Sequence, residues 1–221
     1  MHLSNTTTPP QCAALFDLDG VIIDSEGEYT RFWSDVDRRH PTGIKQFALA
    51  IKGTALPLIL QHFADELHTP IVEALHDFEH DMQYHPYPGA LQFIAKLRSM
   101  GIPTAIVTSS DAVKMQHLFN QHPELEGAVD VVINSSMITR SKPDPQGYLL
   151  AAEHLGVPPQ CCIVFEDSIQ GLTAGRRAGC AVVAISTTNP TDVVAPLADL
   201  VTPSLAALDV EEAIALVFEH A

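Results

Sequence analysis

The hydrophobic period of this chain changes twice, and that change limits the folds open to it. Ala13-Ala14-Leu15-Phe16 is an apolar run that ends in Asp17-Leu18-Asp19-Gly20-Val21. It is too short for a helix and has no polar alternation, so it reads as a strand covered on both faces of a parallel sheet. Four helical stretches follow with no strand between them. From Thr104 onward strands and helices alternate: strands at 104–108, 129–133, 163–165 and 181–185, helices at 113–122, 148–155 and 169–178. Leu200-Val201 adds a short last strand and Val210 to Phe218 a closing helix. Alternation of this kind predicts an α/β domain with a parallel sheet and right-handed crossovers. The four helices between the first strand and the rest form an insert, so residues 1–24 and 86–221 make the sheet domain and 25–85 the insert.

Within the insert, Ser25-Glu26-Gly27-Glu28 has capping-box spacing and predicts a helix start at Ser25. Tyr29, Phe32, Trp33 and Val36 continue it to Pro41. Thr42 is expected to cap a second helix carrying Ile44, Phe47, Ala48 and Ile51; Pro57 opens a third through Phe63 and Leu67; a fourth carries Ile71, Leu75, Phe78 and Met82. Trp33, Phe32 and Tyr29 read as packing residues.

A formal charge of −15 argues against sequence-independent nucleic-acid binding, which needs clustered Lys and Arg, and against anionic membranes. An anionic substrate would have to be met locally, by a metal or a few bases. Residues 1–11 are polar and Thr/Pro-rich, without the pattern of a signal peptide, and no run is long enough to span a bilayer. Cys12, Cys161, Cys162 and Cys180 contain no C-x-x-C pair and read as reduced packing residues in a cytoplasmic protein.

In open α/β sheets ligands bind at the carboxyl ends of the strands, where the strand order reverses. The first strand presents Asp17 and Asp19 there, and the second presents Thr108-Ser109-Ser110-Asp111, hydroxyls at a helix start. The third is followed by Arg140-Ser141-Lys142-Pro143-Asp144-Pro145, and the fourth ends in Glu166-Asp167-Ser168. Taken singly, each is an ordinary cap or loop segment. Gathered at four strand ends, they supply carboxylates, a hydroxyl and a lysine around one point, hard oxygens for Mg²⁺ and Lys with Thr for phosphate. His76 and His80 have a metal-compatible i, i+4 spacing, but no third ligand is evident and the intervening acids mark a solvated face.

In order, Asp17-Leu18-Asp19-Gly20-Val21, Val107-Thr108-Ser109, Ser141-Lys142-Pro143-Asp144-Pro145 and Phe165-Glu166-Asp167-Ser168-x-x-Gly171 resemble the four motifs of the haloacid dehalogenase superfamily. The likeness points to the branch of small-molecule phosphatases and β-phosphoglucomutase-like proteins, with a Rossmann-like core and a helical cap inserted after the first strand. It implies Asp17 as the nucleophile that becomes an aspartyl phosphate, and Asp19 as acid toward the leaving oxygen and base toward water. Thr108 and the Ser109 amide would hold phosphoryl oxygens and Lys142 would offset charge. Mg²⁺ would lie on Asp17, the Asp19 carbonyl and Asp167, with Glu166 acting directly or through water. Lys52-Gly53-Thr54 resembles the loop that reads substrate in this branch.

The resemblance implies a Mg²⁺-dependent phosphatase for a small phosphorylated metabolite; a monomer is the expectation, with an oligomer left open. A sugar-phosphate mutase is the alternative enzyme. Such a mutase needs a second phosphate grip, and the corresponding positions here are Leu56 and Asp111-Ala112, with Tyr29 in place of the mutase's cap histidine; Lys52 or Lys114 are candidate substitutes. A phospho-acceptor signalling domain also gathers acids, a Thr and a Lys at strand ends. It fits poorly, since such a module is shorter and carries its acceptor on a middle strand with no helical insert.

Overall fold

The structure, a computed structural model, describes residues 12–220, the side chain of His220 excepted. The reading of residues 1–11 lies outside that range. Strand β1 (Ala13–Phe16) is followed by helices α1 (Glu26–Arg39), α2 (Phe47–Ala50), α3 (Leu56–Leu60) and α4 (Asp65–Asp81). Then come α5 (Ala90–Ser99), β2 (Thr104–Val107), α6 (Ala112–Gln121), α7 (Pro123–Glu126), β3 (Val131–Ile133) and α8 (Gln146–Leu155). The chain closes with β4 (Cys162–Glu166), α9 (Ile169–Ala178), β5 (Ala181–Ile185), α10 (Thr191–Val194), β6 (Leu200–Thr202) and α11 (Val210–His220).

All six strands pair in parallel in the order β3-β2-β1-β4-β5-β6. Every residue of β1, β2, β4 and β5 is buried, which is why these runs read as continuous apolar stretches. Alternate residues face opposite layers. Phe16 and Phe165, paired in register, stack at 4.7 Å in the layer under α5, α6 and α11, while Leu15 and Val164 point into the layer with Tyr148 of α8 and Leu172 of α9. The order reverses between β1 and β4, so the binding crevice opens above their carboxyl ends.

Helices α1–α4 carry an apolar cluster of their own, with Trp33, Phe47, Phe63, Ile71 and Leu75 at its centre. The chain leaves for these helices and returns at one place: Ile23 and Pro86 form an antiparallel bridge, and the Asp24 amide donates to His85 O at 2.8 Å. Three local expectations are corrected. Ser25 precedes α1 but makes no side-chain cap, because its hydroxyl donates to Asp19 instead. Thr42 caps no helix; its amide and hydroxyl both donate to Asp37 Oδ1, at 2.8 and 2.7 Å, its hydroxyl accepts only from the nearby Ile44 amide at 3.3 Å, and the helix starts only at Phe47, after Gln46 at φ +54°. Pro57 does sit at the start of α3, but α3 ends at Leu60 and Leu67 belongs to α4. No helix among the described residues is long and apolar enough to cross a membrane.

Candidate active site

Lys142 ties three strand ends together. Its Nζ donates to Asp17 Oδ1 at 2.5 Å, to Glu166 Oε1 at 2.6 Å and to Val107 O at 3.1 Å, at the ends of β1, β4 and β2. Asp17 is placed by its own amide, which donates to Phe165 O at 2.9 Å. Glu166 is fully engaged within the protein. Its Oε1 also accepts from Tyr148 Oη at 3.0 Å, and its Oε2 accepts from the amides of Asp167 and Ser168, both at 2.9 Å, and from Ser168 Oγ at 3.0 Å. The carboxylate fits only because residue 171 on α9 is glycine; a Cβ there would overlap it. Gly20, at φ +82°, likewise leaves the space that the Asp167 carboxylate fills, and the Thr188 hydroxyl donates to that carboxylate.

Asp17, Glu166 and Asp167 are all buried, with oxygens within 4.8 Å of one another, and among the described residues Lys142 is the one cation bonded to them. Charge this poorly compensated resists ionisation. Burial pushes Asp17 up to about 8, against the pull of Lys142 and with Glu166 adding to the rise. Burial also holds Asp167 well above the usual carboxylate range, helped by the charges of Glu166 and Asp17. Lys142 is raised as well: burial alone would lower it, but the charges of Asp17 and Glu166 outweigh burial and hold it in its charged form. Two partly free carboxylates, both hard oxygen donors with surplus negative charge, fit a divalent cation of the Mg²⁺ kind.

Asp19 sits apart from this group. Lys114 Nζ lies 2.6 Å from each of its carboxylate oxygens, Ser110 Oγ donates to it at 3.0 Å, and Ser25 completes the set. Burial would raise its carboxyl, yet Lys114 and the two hydroxyls outweigh burial and leave it below the ordinary value. Lys114, only 3% exposed, also stands 4.4 Å over the Tyr29 ring, and Tyr29 Oη donates to Glu79 at 2.7 Å. A chain of contacts therefore runs from Asp19 through Lys114 and α1 to α4. The sequence weighed Lys114 only as a spare cation; its signal was its place one turn after Asp111, in the first turn of α6.

Thr108 is buried beside the site, its hydroxyl accepting from the Ser110 amide at 3.0 Å, and Ser109 Oγ donates to Gly53 O at 3.1 Å. One pocket spans the strand ends and the helices. Its floor holds Asp17, Asp19, Thr108, Ser109 and Asp167; its opposite wall is Trp33, Ile51, Leu56, Ile59 and Leu75. Lys52, also on that wall, pairs with Glu26 at 2.5 Å. Every predicted site residue but Lys142 and Glu166 lines this pocket, and those two stand directly behind Asp17. His76 and His80 part company: His76 Nε2 meets Asp111 Oδ2 at 3.3 Å, while His80 Nδ1 meets Asp81 at 3.0 Å.

A family model for haloacid dehalogenase-like hydrolases matches residues 13–179. Hexitol phosphatase A of Escherichia coli is 34% identical over 180 residues, covering 78% of this chain and 82% of its own. Validoxylamine A 7'-phosphate phosphatase of Streptomyces hygroscopicus subsp. limoneus is 31% identical, covering 82% and 89%. The fold matches a crystal structure of a HAD hydrolase, family IA, variant 3, from Entamoeba histolytica with a TM-score of 0.81 at 24% identity, over 94% of this chain and all of the other. The chain belongs to the haloacid dehalogenase-like hydrolases and is a phosphoric monoester hydrolase of that family.

Proposed function

We propose that this enzyme is a Mg²⁺-dependent phosphatase that hydrolyses a small, hydroxyl-rich phosphate ester through an aspartyl phosphate on Asp17. The observation that carries this reading is the division of labour between two aspartates two residues apart: Asp17 shares Lys142 with Glu166, and Asp19 is held separately by Lys114, Ser25 and Ser110. Asp17, Asp167 and the Asp19 carbonyl would hold the cation, which when bound supplies charge that lets a carboxylate and a phosphate approach each other. Glu166 has both oxygens committed to protein donors, which favours an indirect role.

In the first step an Asp17 oxygen forms a bond to phosphorus as the bond to the leaving oxygen breaks, and Asp19 gives that oxygen a proton. In the second, water attacks phosphorus, Asp19 takes the water's proton, and phosphate leaves with the Asp17 carboxylate restored. One side chain thus serves as acid and then base. Asp19 must leave Lys114 to do so. Thr108 and the Ser109 amide hold phosphoryl oxygens, and Lys142 offsets charge at Asp17.

Residues 25–85 act as a cap on a core of residues 1–24 and 86–221, hinged where Asp24 meets His85. Closure of the cap excludes bulk water. The relatives' names, hexitol phosphatase and N-acetylmuramic acid 6-phosphate phosphatase among them, support a sugar- or polyol-phosphate substrate. The four free thiols suit a reducing cytoplasm. The test is a screen of the purified protein against sugar phosphates, polyol phosphates, nucleotides, phospho-acids and pyrophosphate, with Mg²⁺ and with chelator. Phosphate release from sugar or polyol phosphates that needs Mg²⁺ is expected. Equal release under exhaustive chelation would refute the metal, and release confined to pyrophosphate would refute the ester.

A further inference from the structure

At the junction of α4 and α6 lies a second group of metal-ligating side chains that shares no residue with the first. His76 and Glu79 stand one turn apart on α4 and so present their side chains to the same side. Asp111 faces them from the N-cap of α6. Their ligand atoms lie within 4.8 Å of one another.

We propose that His76, Glu79 and Asp111 form a binding site for a borderline transition ion such as Zn²⁺, bridging the helical segment to the sheet domain. The donor set is one imidazole and two carboxylates, which suits such an ion and leaves a fourth position for water. Each carboxylate is already oriented through one oxygen. Tyr29 Oη donates to Glu79 Oε1 at 2.7 Å, and the Lys114 amide donates to Asp111 Oδ1 at 2.9 Å, which leaves Asp111 Oδ2 toward His76. Support of this kind is what fixes ligands at a metal centre. Zinc ligands at about 2.0–2.1 Å put two tetrahedral donors roughly 3.3–3.4 Å apart. His76 Nε2 and Asp111 Oδ2 are 3.3 Å apart, a better match to that edge than to a short charge-assisted hydrogen bond.

Glu79 adds an independent reason. It is 5% exposed, and among the described residues its carboxylate accepts only the Tyr29 bond. Burying a carboxylate with one neutral donor is costly. The nearest ammonium, Lys114, is bound by both oxygens of Asp19. A divalent ion would supply the missing charge. Because two of its ligands, Glu79 and Asp111, also line the pocket, an ion here would pin α4 to α6 beside Asp19 and slow the opening that product release requires.

The test uses the full chain with Mg²⁺ in large excess, titrated with Co²⁺ and followed by visible absorption, and with Zn²⁺ against a chromophoric chelator. One Co²⁺ per chain with the intense bands of four-coordinate cobalt is expected. His76→Ala should weaken both ions at least tenfold while keeping its circular dichroism and its Mg²⁺-dependent phosphate release. Zn²⁺ should slow turnover of the wild type and not of His76→Ala. Absence of Co²⁺ binding under excess Mg²⁺, weak six-coordinate bands, or affinity unchanged by His76→Ala would overturn the site; equal Zn²⁺ inhibition of both proteins would overturn the pinning. The binding readouts stand apart from the phosphatase reading, since they need no substrate.

Discussion

Removing the divalent cation should make stability depend on pH in a way the loaded protein does not show. In the chelated protein Asp17 has its carboxyl pushed up to about 8, from an ordinary 3.8, by burial and by the Glu166 charge. A group raised in the folded state contributes stability that is complete below its unfolded value and lost as pH rises through the folded one. The loss therefore falls between about pH 4 and pH 8. Each unit of that window is worth about 1.4 kcal/mol, so Asp17 alone would cost the chelated protein about 4 kcal/mol between roughly pH 5 and pH 8. Asp167 is shifted the same way and by the same cause. A bound cation compensates both charges and should flatten the slope. The assay is urea unfolding at a series of pH values, with chelator and with saturating Mg²⁺. Relief of the −15 net charge also favours the fold on acidification, so the quantity to read is the difference between the two series. A chelated profile parallel to the Mg²⁺ profile would refute the reasoning.

The strand ends were legible because each joins two independent signals: an apolar run long enough for a buried strand, and a polar cluster immediately after it. Asp17, Thr108 and Glu166 all came from that pairing, and the sheet delivers them to one crevice. Lys142 lies in a loop, where pattern says little; its motif located it, and its bond to Asp17 needed the fold. What the sequence hid depends on partners far along the chain. Ser25 carries a good local capping signal, yet Asp19 takes its hydroxyl, because satisfying a partly buried carboxylate outweighs one helix cap. Thr42 was lost in the same way to Asp37. Lys114 looks like any lysine in a first helical turn, and only the approach of β1 to α6 gives it Asp19. Asp111 was invisible as a partner of His76, being 35 residues further along the chain and brought in by packing of α4 on α6, and the reading of Glu79 as part of a solvated face is corrected: it is 5% exposed, buried in that packing.

Asp17→Asn should abolish phosphate release and, because it removes a buried charge, should raise the chelated protein's melting temperature at about pH 8; turnover by the folded variant would end its assignment as nucleophile. Lys142→Met leaves Asp17 and Glu166 buried without their cation, a change worth about 3–5 kcal/mol of destabilisation and a severe loss of kcat, read by urea unfolding and by phosphate release. Asp19→Asn should permit slow phosphorylation with blocked hydrolysis, seen as a mass increase on Asp17. Hydrolysis should also prevail over transfer, and the pocket gives the reason. A mutase must hold a sugar bisphosphate at both ends, so a second cationic grip has to face the first site. The two substitutes open to this chain are both occupied: Lys52 pairs with Glu26 at 2.5 Å, and Lys114 is bound by both oxygens of Asp19. Leu56 and Asp111 line the wall where that grip would stand, and an aspartate there repels a phosphate. A sugar monophosphate product is therefore released before it can turn round, and water meets the aspartyl phosphate first. Incubation with β-glucose 1-phosphate and catalytic glucose 1,6-bisphosphate, following glucose 6-phosphate and free phosphate together, should show no isomer ahead of phosphate. Isomer formed much faster than phosphate would mean that Lys52 abandons Glu26 for the substrate, or that Lys114, once Asp19 has left it for the proton transfers, grips the second phosphate instead of taking Asp19 back.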